Sequence, residues 1–144
     1  MDYSASFQIS ATGMAVEKLR LDVSTANIAN MNSTAASAAQ LYRPMRVISQ
    51  ETPLAFSQQF DEMYSVTSGG TQVMGVEPLA VPPRVVYEPG HPHADSKGFV
   101  SYPGVNHTSE MVNLMSALRA YEANVVAMNA AKTMAARALE IGGQ

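Results

Sequence analysis

The chain has 144 residues and a formal net charge of −3, with its nine Lys and Arg scattered along it. That length suits one domain, and with no basic stripe to neutralise phosphates nucleic acid is a poor candidate partner. The absence of cysteine excludes a disulfide framework, a thiolate nucleophile and a Cys-ligated zinc.

All eight prolines lie between residues 44 and 103, leaving 43 proline-free residues before them and 41 after. Proline in a helix interior costs about 3 kcal/mol, so the two ends are free to form long helices and the middle is not. The start, Met1-Asp2-Tyr3-Ser4, has no basic stretch followed by an apolar one, and no Sec-type signal peptide is expected. Residues 23–42 are uncharged, but their Asn, Ser and Thr make them too polar to span a bilayer.

The first predicted element is a helix over residues 5–31. Ile9, Val16 and Val23 recur every seven residues, and Leu19 and Ala26 fill the half-heptad positions. A second row, Phe7, Met14, Leu21 and Ile28, runs down another side. One apolar stripe suffices for a surface helix, so two stripes ask for a partner on each side. Gly13 interrupts the helix at a cost of about 1 kcal/mol relative to alanine, and the pattern gives no reason for it. Asn27 and Asn30 near the helix end admit two readings. Asn30 could end the helix in a left-handed conformation with Asn27 exposed. Alternatively, both could hydrogen-bond neighbouring chains and fix register.

Residues 34–40 are small and polar, a linker. Residues 45–49, 72–76, 84–87 and 98–102 each read as a short strand bounded by Gly or Pro. Residues 65–71 read as a loop, and Phe56, Phe60 and Met63 have the spacing of a short helix. The final predicted element is a long helix capped by Thr108 or Ser109, with Glu110 at its positive end. Met111, Leu114, Leu118, Tyr121, Val125 and Met128 step along it by threes and fours, alanines then slim it, and Gly142-Gly143 ends it.

Catalytic constellations are lacking. No G-x-S-x-G elbow and no phosphate-binding glycine loop occur. His91-Pro92-His93 with Asp95 is the one metal-like cluster, and only His107 could extend it, short of a four-ligand site. A local turn is the preferred reading of these histidines. The ten methionines read as packing residues of adaptable surfaces.

Three blocks carry a family resemblance. They are Ser24-Thr25-Ala26-Asn27-Ile28-Ala29-Asn30, the run from Pro83 to Asp95, and Gly98-Phe99-Val100 continuing through Glu110-Met111-Val112-Asn113-Leu114-Met115 and Tyr121-Glu122-Ala123-Asn124. Together they resemble the rod and hook axial proteins of the bacterial flagellum, and within them the proximal rod proteins. The chain departs from that pattern at Gly104, where the family usually carries Asn, and at His107-Thr108.

The resemblance implies a structural rod subunit that transmits torque from motor to hook and filament. It implies export through the flagellar type III apparatus without a cleavable signal, and residence in the basal-body rod across the periplasm. The implied partners are other rod proteins (FlgB, FlgF, FlgG), the adaptor FliE and further copies of the chain. No enzyme activity, cofactor, metal, nucleic acid or small-molecule substrate is implied.

The expected fold is therefore α+β, with long N- and C-terminal helices paired as an antiparallel coiled coil around a small β-rich insert. Residues 1–35 and 108–144 would form the inner helical domain, and residues 36–107 the insert. The expected assembly interface comprises Ile9, Val16, Leu19, Val23, Asn27, Ile28 and Asn30 on the first helix. On the last it comprises Met111, Leu114, Leu118, Tyr121, Asn124, Val125 and Met128. The competing readings are a metal-dependent module built on His91, His93 and Asp95, and a partner-binding module or secretion chaperone.

Overall fold

A computed structural model describes residues 3–51 and 69–142. In chain order these hold helix α1 (Tyr3–Ala29), strands β1 (Met45–Glu51), β2 (Thr71–Pro78), β3 (Arg84–Tyr87) and β4 (Phe99–Tyr102), and helix α2 (His107–Gly142). The class is α+β, and a strand stands at each of the four places where Gly and Pro bound an apolar run. The helical spacing at Phe56, Phe60 and Met63 falls outside the described residues.

The strands pair two by two, β1 with β2 and β3 with β4. The β3–β4 hairpin is antiparallel, with Arg84 opposite Tyr102 and Tyr87 opposite Phe99. Both terminal pairs use that proximity. The Arg84 guanidinium lies 5.1 Å from the centre of the Tyr102 ring, and the Tyr87 and Phe99 rings meet edge to face at 5.3 Å. Asp95 organises the turn between the strands, its Oδ1 accepting the Lys97 and Phe99 amides at 2.8 Å each. The Phe99 amide, foremost among several backbone donors, holds the Asp95 carboxyl below its ordinary pKa. The turn therefore keeps these bonds until pH falls through that lowered value. Gly98 closes it with φ +81°, a conformation that any side chain would strain.

Two compact units make up the chain. The first comprises Met1–Leu19, Ile48–Gly75 and Ser116–Gln144, and the second Arg20–Val47 and Val76–Met115. Within the first, Gly13 of α1 faces Asn124 of α2, and a methyl group at Gly13 would stand 3.0 Å from the Asn124 amide. That close approach explains the glycine that periodicity could not. Within the second, the Asn27 amide donates to Glu110 at 3.3 Å. Fourteen residues separate Gly13 from Asn27, and fourteen separate Glu110 from Asn124, in the opposite direction. The two helices therefore pair antiparallel, in step over two heptads.

Both helix ends differ in detail from the expectation. The cap of α2 is Asn106, whose Oδ1 accepts the Ser109 amide at 3.1 Å, rather than Thr108 or Ser109. At the end of α1, no described non-glycine residue has a positive φ, so Asn30 is not left-handed. Its side chain donates to the Ala26 carbonyl at 2.8 Å, beside the Asn30 amide that reaches the same oxygen at 3.1 Å.

Little apolar surface is sealed inside. The buried apolar residues among those described are Val16, Pro44, Val100, Pro103, Ala117 and Ala131, joined by the buried polar residues Ser10, Ser24, Asn27 and Glu110. Burying a leucine or methionine contributes about 1.5–3 kcal/mol, and alanine or serine far less. The fully buried helix positions therefore contribute little apolar burial, and most of it comes from half-buried side chains such as Leu19, Val23, Leu114 and Val125.

Candidate assembly surface

Asn27 is fully buried, at 0% exposure. Its Nδ2 donates to the Met45 carbonyl at 2.9 Å and to Glu110 Oε1 at 3.3 Å. Its Oδ1 accepts the Met45 amide at 2.9 Å and the Tyr42 hydroxyl at 2.8 Å. Every donor and acceptor position of the amide is used. One side chain thus joins the end of α1, the segment after it, the start of β1 and the first turn of α2, all inside the second unit. Burial, and then the Glu110 charge, push the Tyr42 hydroxyl above its ordinary pKa, keeping it a proton donor. Asn27 is neither exposed nor turned to a neighbouring chain, so both sequence readings of it give way to an internal clamp. Tyr42, Met45 and Glu110 were not singled out as its partners. Their separation from it in the chain hides the link.

The buried stripe of α2 is offset by one position from the apolar row. Glu110, Ala117, Asn124 and Ala131 recur every seven residues; Asn124 is half-buried and the other three are buried. Leu114, Tyr121, Val125 and Met128 flank that line half-buried. Met111 and Leu118, expected on the seam, stand outside it, Leu118 at 42% exposure. The reason is steric. Close helix approach selects Ala117, because a leucine there would hold the backbones apart. On α1, Val16 is buried, Leu19, Val23 and Ile28 are half-buried, and Ile9 is exposed. Val112, Met115, Val126 and Met134 join the exposed apolar residues of α2. On α2 most of the large apolar side chains are exposed, whereas on α1 only Ile9 is, and the fully buried helix positions are Ser10, Val16, Ser24, Asn27, Glu110, Ala117 and Ala131.

A second feature lies wholly in the second unit. An open groove of about 340 Å³ is lined by Leu41, Tyr42, Pro44, Leu79, Val81 and Pro103, with Arg43 and Gly104 also at its wall. The Leu79 amide donates to the Pro44 carbonyl at 2.7 Å, drawing the two sides together. A Cβ at Gly104 would collide with the Pro82 carbonyl oxygen and stand 2.7 Å from Val81 Cγ1. The glycine therefore shapes this wall.

The histidine turn is organised locally. The His93 amide donates to His91 Nδ1 at 3.0 Å, and His93 Nδ1 lies 3.0 Å from the Thr34 hydroxyl. Asp95 spends its carboxylate on the turn backbone. Among the described residues no three His, Asp or Glu gather to hold a metal ion. Replacing His91 and His93 together by alanine is expected to leave swimming in soft agar near normal, since exposed hydrogen bonds contribute about 1 kcal/mol or less. A double variant that exports normally but fails to build rods would overturn this.

Comparison with known proteins is consistent across the chain. A family model for the C-terminal part of the flagellar basal body rod FlgEFG proteins matches residues 96–141. The flagellar basal-body rod protein FlgC of Salmonella typhimurium is 36% identical over 136 residues, covering 94% of this chain and 95% of its own. The protein of the same name from Bacillus subtilis is 36% identical over 144 residues, covering 95% and 96%. That of Borreliella burgdorferi is 33% identical over 156 residues, covering 98% of each. No described helix is long and apolar enough to cross a membrane.

Proposed function

Since the chain belongs to the FlgC family of flagellar basal-body rod proteins, we propose that it is a torque-bearing structural subunit, assembling helically with other rod proteins between motor and hook. The observation that carries this reading is the exposed apolar row of the last helix. The buried seam holds Ser10, Val16, Ser24, Ala117 and Ala131, while Met111, Met115, Leu118 and Val126 of α2, with Ile9 of α1, are exposed. Exposed apolar rows of this extent mark surfaces that other proteins cover. Neighbouring subunits would supply the missing burial, and interlocked helices with many contacts per subunit would supply the stiffness that torque transmission requires.

In this proposal residues 1–35 and 108–144 form the inner tube, and residues 36–107 face outward. The partners are the rod proteins FlgB, FlgF and FlgG, the adaptor FliE and further copies of the chain, in a rod that crosses the periplasm. Export proceeds through the flagellar type III apparatus. The role involves no catalysis and no cofactor. Deleting the gene should leave cells without rod, hook and filament, and intact rods in the deletion strain would refute the role.

A second measurement addresses how the subunit folds. A seam of small residues gives two isolated helices little to hold them. Residues 1–33 and 108–144 are therefore expected to exchange amide hydrogens rapidly in the dilute full-length monomer and to be protected in assembled rods. Strong protection of both segments in the monomer would point to a self-sufficient globular domain and against folding coupled to assembly.

A further inference from the structure

The antiparallel register that sets Gly13 against Asn124 also sets Tyr3 against Met134. Residues 135–142 form the far end of α2 in that register. This tip is apolar and uncovered, with Leu139 at 77% and Ile141 at 82% exposure. It is also electronegative. Its last turn contains no basic residue, so nothing there offsets the negative helix end, and Glu140 adds a charge.

The groove in the second unit has the opposite character. Leu41, Leu79, Val81 and Pro83 give it apolar walls, and Arg43 is the one charged residue lining it. Arg43 is exposed and forms no ion pair among the described residues. Pro103 and Gly104, at the wall of the groove, lead directly into α2, whereas the tip ends that helix 36 residues later.

We propose that the groove of one copy receives the α2 tip of a second copy of this chain, with Leu139 and Ile141 seated in it and Arg43 against Glu140 and the terminal carbonyls. The contact joins two different surfaces, so it is heterologous, the class of contact that repeats from copy to copy. It rests on the rod-subunit reading and gives that reading a specific head-to-tail joint. An arginine at a helix C-terminus both hydrogen-bonds the free carbonyls and opposes the helix dipole. The same side chain thus selects a helix end over an aliphatic loop of equal size.

The natural chain has no cysteine, so a disulfide can report the contact. The full-length chain carrying Ala80→Cys, at the groove wall, and Ile141→Cys, at the tip, produced in place of the native protein, should form cross-linked ladders of itself in oxidised, purified basal bodies. Either change alone should give none. Arg43→Glu should lower incorporation into rods at least tenfold, and adding Glu140→Arg to the same chain should recover most of it. Absence of self-cross-linking in rods that contain the protein, or cross-linking of a tip-only variant to a different axial protein, would overturn the joint and leave the rod-subunit reading intact. Absence of the wild-type chain from basal bodies would overturn both.

Discussion

Replacing Asn27 by aspartate is expected to abolish rod assembly, and adding Glu110→Gln to the same chain is expected to restore part of it. The change removes only the Nδ2 donors, but those serve the Met45 carbonyl and Glu110 Oε1. A carboxylate in that place would set its oxygen against a carbonyl and a second carboxylate, in a site with no exposure. An unsatisfied buried polar group costs about 1–3 kcal/mol, and an unpaired buried charge costs more, so the total is several kcal/mol. A helix pair whose buried seam includes Ser10, Ser24, Ala117 and Ala131 has little reserve to absorb it. Gln at position 110 could donate to the new carboxylate, which the native glutamate cannot when ionised. Rod yield from purified basal bodies, with secreted protein measured beside it, separates failed folding from failed export. Wild-type rod yield with Asn27→Asp would show that the four-way clamp contributes nothing essential.

What the sequence discloses and what it hides both follow from the same helix pair. Proline placement and heptad spacing marked both long helices, because excluding proline and repeating apolar residues are local properties. Gly and Pro punctuation likewise marked all four strands, including Arg84–Tyr87 at the bounds it has in the structure. The faces of the helices were less legible. An apolar row identifies residues that need covering, but of the internal seam of Ser10, Gly13, Val16, Ser24, Asn27, Ala117 and Ala131 only Val16 belongs to such a row. Hydrophobic periodicity cannot see a seam chosen for small size. Asn27 was conspicuous in sequence, yet its partners Tyr42, Met45 and Glu110 lie far enough away that only the folded chain connects them. Gly13 became intelligible only once Asn124 was found above it.

Placing Leu118 outside the internal seam sharpens what its replacement should do. Leu118→Asp is expected to block assembly while leaving the chain exportable and its own helix pairing possible, because the side chain is 42% exposed within the subunit. The penalty arises only when a neighbour covers the Met111, Met115 and Leu118 stripe. Losing a buried leucine removes about 1.5–3 kcal/mol at that contact, and desolvating the carboxylate adds several kcal/mol more. Every subunit repeats the defect, so a polymer should amplify it into loss of motility. Lys97→Ala, on an exposed turn, should by contrast be mild. Co-expression with the wild-type protein gives a further distinction. A Leu118→Asp subunit retains its α1 face, can join a growing rod and then presents a surface that the next subunit cannot cover. It should therefore interfere dominantly, whereas an Asn27→Asp subunit that cannot close its own fold should be recessive. Swimming in soft agar and immunoblots of purified basal bodies read both effects, and wild-type swimming with Leu118→Asp as the sole copy would remove this stripe from the assembly surface.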